Sequence, residues 1–223
     1  MYSKRVKKHR ELIVKIAYKL FDMKMPTMAE TLLLAAHEIG DSTILHSTPE
    51  SSVLHGVVGL LEDLKIKYAL IGGVAFASYG YFVGTDDVDI LVDFLPSNEI
   101  LKNKEYMKTF GFYPSKSYTG GHLVLDHKNG QVEMLPADNT MRKEALKTRK
   151  NRPALKANVP VVSLEALVGL KLQALFDNPR RESDDKPAIV FAMTKLKTTH
   201  WLDSNLDKEE KNLLKSISPS WMR

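Results

Sequence analysis

Two short apolar runs, parted by a diglycine and followed by alternating aspartates, constrain this chain more than any other stretch. Tyr68-Ala69-Leu70-Ile71 reads as a strand that stops at Gly72-Gly73. Val74 to Tyr79 can wind as a helix up to Gly80. After a loop, Val88, Ile90, Leu91 and Val92 read as a second buried strand with Asp87 and Asp89 at its entrance. Side chains alternate along a strand, so Asp87 and Asp89 share one face while Val88 and Ile90 take the other. Two neighbouring carboxylates repel, and burying either one unpaired is expensive. A divalent cation removes that conflict, and Mg²⁺ prefers one or two carboxylates completed by water and phosphate oxygens. Gly72 and Gly73 lack Cβ atoms, so their backbone can approach a ligand closely. The N–H groups opening the next helix suit a phosphate.

This order resembles the nucleotidyltransferase superfamily that includes DNA polymerase beta and kanamycin nucleotidyltransferase. The superfamily signature is hydrophobic-Gly-[Gly/Ser], a spacer, then Asp-hydrophobic-[Asp/Glu]-hydrophobic. Ile71-Gly72-Gly73 and Asp87-Val88-Asp89-Ile90 match it, and Thr85 fits the Thr-x-Asp-x-Asp form of the minimal branch. One departure is Val83, where that branch often carries an arginine two residues before the threonine; this puts the substrate contact of that arginine in doubt.

Composition sets outer bounds. The 223 residues suffice for one large domain or two small ones. Without cysteine, thiol catalysis, disulfides and cysteine-zinc sites are excluded. A net charge of +5 permits an anionic partner without requiring one. No apolar run approaches membrane-spanning length, and the basic start from Lys4 to Arg10 lacks a following signal-peptide core. Cytoplasm is the expected compartment, with no membrane partner.

From the start of the chain, Glu11 to Phe21 reads as a helix, with Ile13, Ile16, Ala17 and Leu20 at helical spacing. Thr27 and Glu30 form a capping-box pattern opening a second helix that Gly40 can close. The basic cluster before this pair is read as a solvated helix end, with contact to RNA or other nucleic acid as the other reading. Thr48-Pro49-Glu50 then supplies a cap, a first-turn proline and a first-turn acid. Leu54, Val57, Val58, Leu61 and Leu64 give the helix behind it an apolar stripe leading into the diglycine strand.

Past the aspartates, Pro96 to Lys108 is expected to be helical and Gly111 to end it. A hairpin follows, His122 to His127 and Gln131 to Leu135, turning at Lys128-Asn129-Gly130. Glu133 sits within its second, apolar strand, where an unpaired carboxylate is costly; an outward-facing strand position is the other reading. The resemblance implies a third site carboxylate on a later strand, and Glu133 occupies that place, although the family more often has aspartate there. His122 and His127 lack metal-ligand spacing and read as plain hairpin residues, with approach to the triphosphate as the other reading.

Arg142, Lys143, Lys147, Arg149, Lys150, Arg152 and Lys156 form a dense basic run. Two readings stand: a solvated face, or an electrostatic footprint for triphosphate or RNA. Ser163 caps a helix from Leu164 to Phe176. Lys171 lies in its apolar stripe, so its amine either reaches an anion or snorkels to water. This segment, with Arg180-Arg181 and Asp185, resembles the C-terminal helices of AbiEii-type and other minimal nucleotidyltransferases, which implies that Lys171 faces the nucleotide. Ala188 stands where a second acid is expected, and Pro187 is expected to disturb the helix. From Lys195 onward there are helix-like pieces without evident chemistry.

The expected fold class is α/β (α+β): a nucleotidyltransferase core with a small mixed sheet flanked by helices. The expected division is an N-terminal helical extension over 1–47, a core over 48–140 and a C-terminal helical subdomain over 141–223. The resemblance implies an enzyme moving a nucleoside monophosphate from an NTP such as ATP to a hydroxyl of an RNA (tRNA) or protein acceptor, with Mg²⁺ or Mn²⁺. Asp87, Asp89 and Glu133 are the catalytic and metal-binding candidates; Gly72, Gly73 and Lys171 are the nucleotide-binding candidates. The AbiEii likeness adds a toxin–antitoxin role. The alternative is a non-catalytic member that binds nucleotide or RNA, or an antitoxin-type partner. The sequence leaves the oligomeric state open.

Overall fold

Val53, Leu54, Val57, Leu60 and Leu61 are wholly shielded from solvent and press the first described helix, α1 (Pro49–Asp63), onto a sheet. The computed structural model describes residues 49–81, 85, 87–95, 104–114, 121–155 and 157–219. The helices expected over 1–47, the Val83 position and the first part of the helix expected from Pro96 lie outside the described residues. Beyond α1, Lys65 adopts the left-handed φ of 57°, and the Ile66 N–H donates to the Leu61 carbonyl at 2.9 Å. That is the usual way a chain leaves a helix, here with lysine in a glycine's place.

The sheet has seven strands: β1 (Tyr68–Leu70), β2 (Asp87–Val92), β3 (Phe112–Pro114), β4 (Leu123–His127), β5 (Gly130–Pro136), β6 (Lys150–Ala154) and β7 (Ala157–Val161). Their order is β3-β4-β5-β2-β1-β7-β6. β2 runs antiparallel to β1 and parallel to β5, while β1 and β7 are parallel. The sheet is therefore mixed, as the sequence predicts, but it is larger than expected. Within the segment 141–223, expected as a helical subdomain with an extended piece ending at Val159 to Ser163, the β6–β7 hairpin joins the core sheet. The physical reason is that β6 is an edge strand whose residues face mainly water, so Lys150-Asn151-Arg152-Pro153 shows no apolar alternation.

Short elements connect the strands. α2 (Gly72–Ala77) follows β1, α3 (Lys104–Thr109) precedes β3, and Gly111 leaves α3 with φ 85°. α4 (Thr140–Lys147) opens where the Asn139 side chain accepts the Arg142 N–H at 2.8 Å. The Ser163 hydroxyl accepts the Ala166 N–H at 3.1 Å and starts α5 (Leu164–Asp177). A 3-10 turn (Pro179–Arg181) then leads to α6 (Glu182–Lys195), α7 (His200–Asn205) and α8 (Lys208–Ile217).

α5 is the hub of the C-terminal half, touching α2, α4, α6, α7 and α8. Its Gly169 leaves room for the Trp201 ring, which a Cβ would meet at 2.7 Å. α6 runs unbroken through Pro187, contrary to expectation. Pro187 is exposed while Asp185, Ala188, Ile189 and Ala192 are buried, so packing on one face carries the helix across the proline. Among the described residues, no helix is long and apolar enough to cross a membrane.

Candidate active site

Register brings the site together. In the parallel pair β2–β5, Asp89 lies beside Glu133 and Asp87 beside Gln131. Side-by-side residues of paired strands share a face, so Asp87, Asp89 and Glu133 project from the same side of the sheet. The opposite side carries Val88, Ile90, Val132 and Met134, all with no exposure, under α1. Asp89 is thus the middle of a carboxylate row at the exposed end of two otherwise apolar strands.

Gly72 explains how Asp89 fits. It adopts φ 64°, and a Cβ on it would lie 1.8 Å from Asp89 Oδ2. The bare Cα therefore makes room for the carboxylate itself, a second reason for glycine beside the phosphate approach expected from sequence. The Ile71 N–H also donates to the Asp89 carbonyl at 3.0 Å, locking the bend to β2. Gly73 is packed under Thr85, whose methyl would meet a Cβ at 3.0 Å. The Thr85 hydroxyl donates to the Asp87 carbonyl at 3.2 Å, so this threonine braces the start of the carboxylate strand.

Electrostatics single out Asp89. Burial, and then the charge of Glu133, push its pKa up to about 6, with Lys171 pulling it partly back down. Asp87 adds a smaller upward push and Arg181 a smaller downward one. Asp87 itself is exposed. One Glu133 oxygen is engaged by His122 Nδ1.

The contact of His122 with Glu133 is one that sequence reading did not anticipate. A three-residue turn at Lys128-Asn129-Gly130 would pair His127 with Gln131. The observed turn has only Lys128 and Asn129 at its centre, and His127 pairs with Gly130. Val124 then faces Glu133, and His122, two residues along the same face, reaches the carboxylate. The hairpin register was the available signal.

Lys171 meets an anion, the second oxygen pair of the site region: its Nζ is engaged by Asp185, whose other oxygen accepts from Arg181 Nε at 2.9 Å. Lys171 still acts electrostatically on Asp89, and its Nζ lies 5.8 Å from the centre of the Phe76 ring in α2. Of the basic run, Arg142, Arg149 and Arg152 are engaged within the fold, Lys143, Lys147 and Lys150 are exposed, and Lys156 lies outside the described residues. Arg142 contacts Asp138 at 3.1 Å, Lys147 contacts Glu144 at 2.6 Å, and Arg149 donates to the Leu146 carbonyl at 2.9 Å. Arg152 stacks 3.9 Å over the Tyr79 ring.

Among the described residues no three His, Asp or Glu side chains form a ready-made metal cage. Mg²⁺ needs none, since it takes one or two carboxylates and keeps water and phosphate as its other ligands. Hard oxygens at Asp87 and Asp89, with a destabilised negative charge at Asp89, are the donor chemistry that suits it.

A mixed sheet entered by a strand–diglycine–helix turn, with carboxylates on the next strand, defines a nucleotidyltransferase-like fold. Solved structures agree. The chain is similar to an antigenic nucleotidyltransferase-like protein from Paracoccidioides brasiliensis, with TM-score 0.56 and 18% identity over 79% of this chain and 90% of that one. It is also similar to ANT(2'')-Ia in complex with adenylyl-2''-tobramycin, with TM-score 0.50 and 14% identity over 77% of this chain and 98% of that one. These likenesses are ones of fold. No protein-family model matches the chain, and no curated protein matches it in sequence.

Proposed function

We propose that this protein is a Mg²⁺-dependent nucleotidyltransferase that transfers a nucleoside monophosphate from an NTP to an acceptor hydroxyl. The observation that carries this reading is the Asp89 carboxylate, set against the bare Cα of Gly72 and in register with Glu133. Enclosing the Asp89 carboxylate beside a like charge is costly unless a cation and phosphates complete the site.

Asp87 and Asp89 would hold the metal, with Glu133 beside them. Bound Mg²⁺ supplies charge neutralisation and alignment for in-line displacement. Glu133, oriented by His122, accepts the proton of the acceptor hydroxyl. The hydroxyl oxygen forms a bond to the α-phosphorus while the bond to the departing pyrophosphate breaks. Gly72 and Gly73 keep the backbone low beneath the phosphates, and the ammonium of Lys171 offsets their charge.

For the acceptor we favour a macromolecule, a tRNA or a protein, in a toxin-like role, on the strength of the AbiEii-type pattern of Lys171, Arg181 and Asp185. A small-molecule hydroxyl is the second reading, because ANT(2'')-Ia holds an adenylylated tobramycin on a similar fold.

The test is incubation of the protein with each α-labelled NTP, Mg²⁺, and either total RNA or a cell lysate. Label should pass to RNA or protein with release of pyrophosphate. Replacing Asp87 and Asp89 together with Asn should abolish transfer while far-UV circular dichroism stays unchanged. Unaltered transfer in that double variant would remove the assignment. Saturable NTP binding without pyrophosphate release would instead identify a non-catalytic nucleotide-binding member.

A further inference from the structure

One buried carboxylate gathers two cations beside the carboxylate row. Asp185, in the first turns of α6, has no solvent exposure. One of its oxygens is engaged by Lys171 Nζ from α5; the other accepts from Arg181 Nε at the end of the 3-10 turn. A buried carboxylate needs a partner, and the enclosed Lys171, whose side chain is 18% exposed, already provides one. Arg181 is different, because 51% of its side chain remains exposed. Its Nε is engaged, and its two terminal nitrogens have no hydrogen-bond partner among the described residues.

Arg181 is also tied to the site by contacts. Asp185 bonds both Arg181 and Lys171, and Lys171 Nζ lies 5.8 Å from the centre of the Phe76 ring in α2, the helix that opens at Gly72 against Asp89. The charges form a simple sum. Asp87, Asp89, Glu133 and Asp185 are countered by Lys171 and Arg181, leaving a deficit that one divalent cation fills. The additional negative charge of a triphosphate then needs donors with free N–H groups. Lys171 is already tied to Asp185, whereas the guanidinium presents a planar, unused edge of the shape that matches phosphate oxygens.

We propose that Arg181 is a phosphate ligand for the bound nucleotide, and that Asp185 is the positioning residue that aims it by holding its Nε. This rests on the nucleotidyltransferase reading. The ordinary alternative is a helix-start ion pair at i,i+4 spacing, which contributes little and has no bearing on ligands.

The experiment uses the full chain and a non-hydrolysable ATP analogue with Mg²⁺, titrated calorimetrically beside adenosine, with thermal unfolding recorded for each protein. Arg181→Gln should weaken triphosphate binding about tenfold or more, as loss of charged hydrogen bonds does. It should leave the affinity for adenosine unchanged. Arg181→Lys should restore part of the loss, since it keeps the charge without the fork. Asp185→Asn should weaken triphosphate binding while sparing adenosine, and a wild-type triphosphate affinity in that variant would overturn the positioning role. If Arg181→Gln binds the triphosphate within about twofold of the wild type, the proposal falls. If it fails to fold, the decision passes to Arg181→Lys, whose wild-type affinity would equally overturn it. A wild-type chain that binds no triphosphate would sink the nucleotidyltransferase reading itself, and this proposal with it.

Discussion

The carboxyl group of Asp89 carries an electrostatic cost in the folded chain. Its folded pKa of about 6 lies above the ordinary 3.8, chiefly because of burial and the adjacent Glu133. A carboxyl raised in the folded state is bound to its proton more tightly there than in the unfolded chain. Below the unfolded value both states are protonated and the group is neutral to stability. As pH climbs past it, the unfolded chain ionises first, so stability falls until the folded group has ionised too. The full penalty is reached above about 6, and a shift of this size corresponds to about 3 kcal/mol. Asp89→Asn keeps the shape and removes the charge. In EDTA, urea unfolding should show the variant more stable than the wild type by up to about 3 kcal/mol at pH 8, with the gap closing toward pH 4. Equal stability at pH 8 would mean that the carboxylate is not stressed. The native residue thus lowers stability at neutral pH, a pattern expected where an acid is kept for binding.

Elements differ in how openly the sequence declares them, and Pro187 shows why. The exposed proline removes the N–H that would donate to the Ser183 carbonyl inside α6, yet the helix persists through it. Pro187→Ala should therefore stabilise the protein by about 1–3 kcal/mol in urea unfolding, since it restores a hydrogen bond and removes a ring clash without touching the core. No gain would indicate that the local backbone has already adapted to the ring. Sequence alone pointed to a break because propensity is local, whereas Ile189 and Ala192 are held by tertiary packing. β2 was legible for the converse reason: its buried Val88, Ile90, Leu91 and Val92 form a near-continuous apolar run. Edge strand β6 carries no such signal. The partnership of Asp185 with Lys171 was also hidden, because nothing within α5 or α6 alone specifies how two helices face each other. The Asp87–Asp89 face followed from strand alternation, but its pairing with Glu133 needed the parallel register of β2 and β5.

Over the whole molecule, the net charge of +5 permits an anion-binding surface, and of the basic run Arg142 and Arg149 fasten α4 and Arg152 fastens β6 while Lys143, Lys147 and Lys150 stay exposed. The opposing charge is local, at the carboxylate row, and on the proposed function it would link metal binding to global stability. A ligand that binds only the folded chain stabilises it by RT ln(1 + [L]/Kd), about 2.7 kcal/mol at a hundredfold excess over Kd. For a chain of this size that is a rise in Tm of about 5–11 °C. Mg²⁺ with a non-hydrolysable NTP should produce such a rise at pH 8, and the Asp87→Asn, Asp89→Asn double variant should show almost none. Protons compete with the cation for Asp89, so the rise should shrink as pH falls through about 6, where that carboxyl takes up its proton. A pH-independent rise would place the ligand elsewhere on the molecule. Absence of any rise at pH 8 would mean that the carboxylate row does not bind the metal–nucleotide pair, leaving its stability cost unexplained.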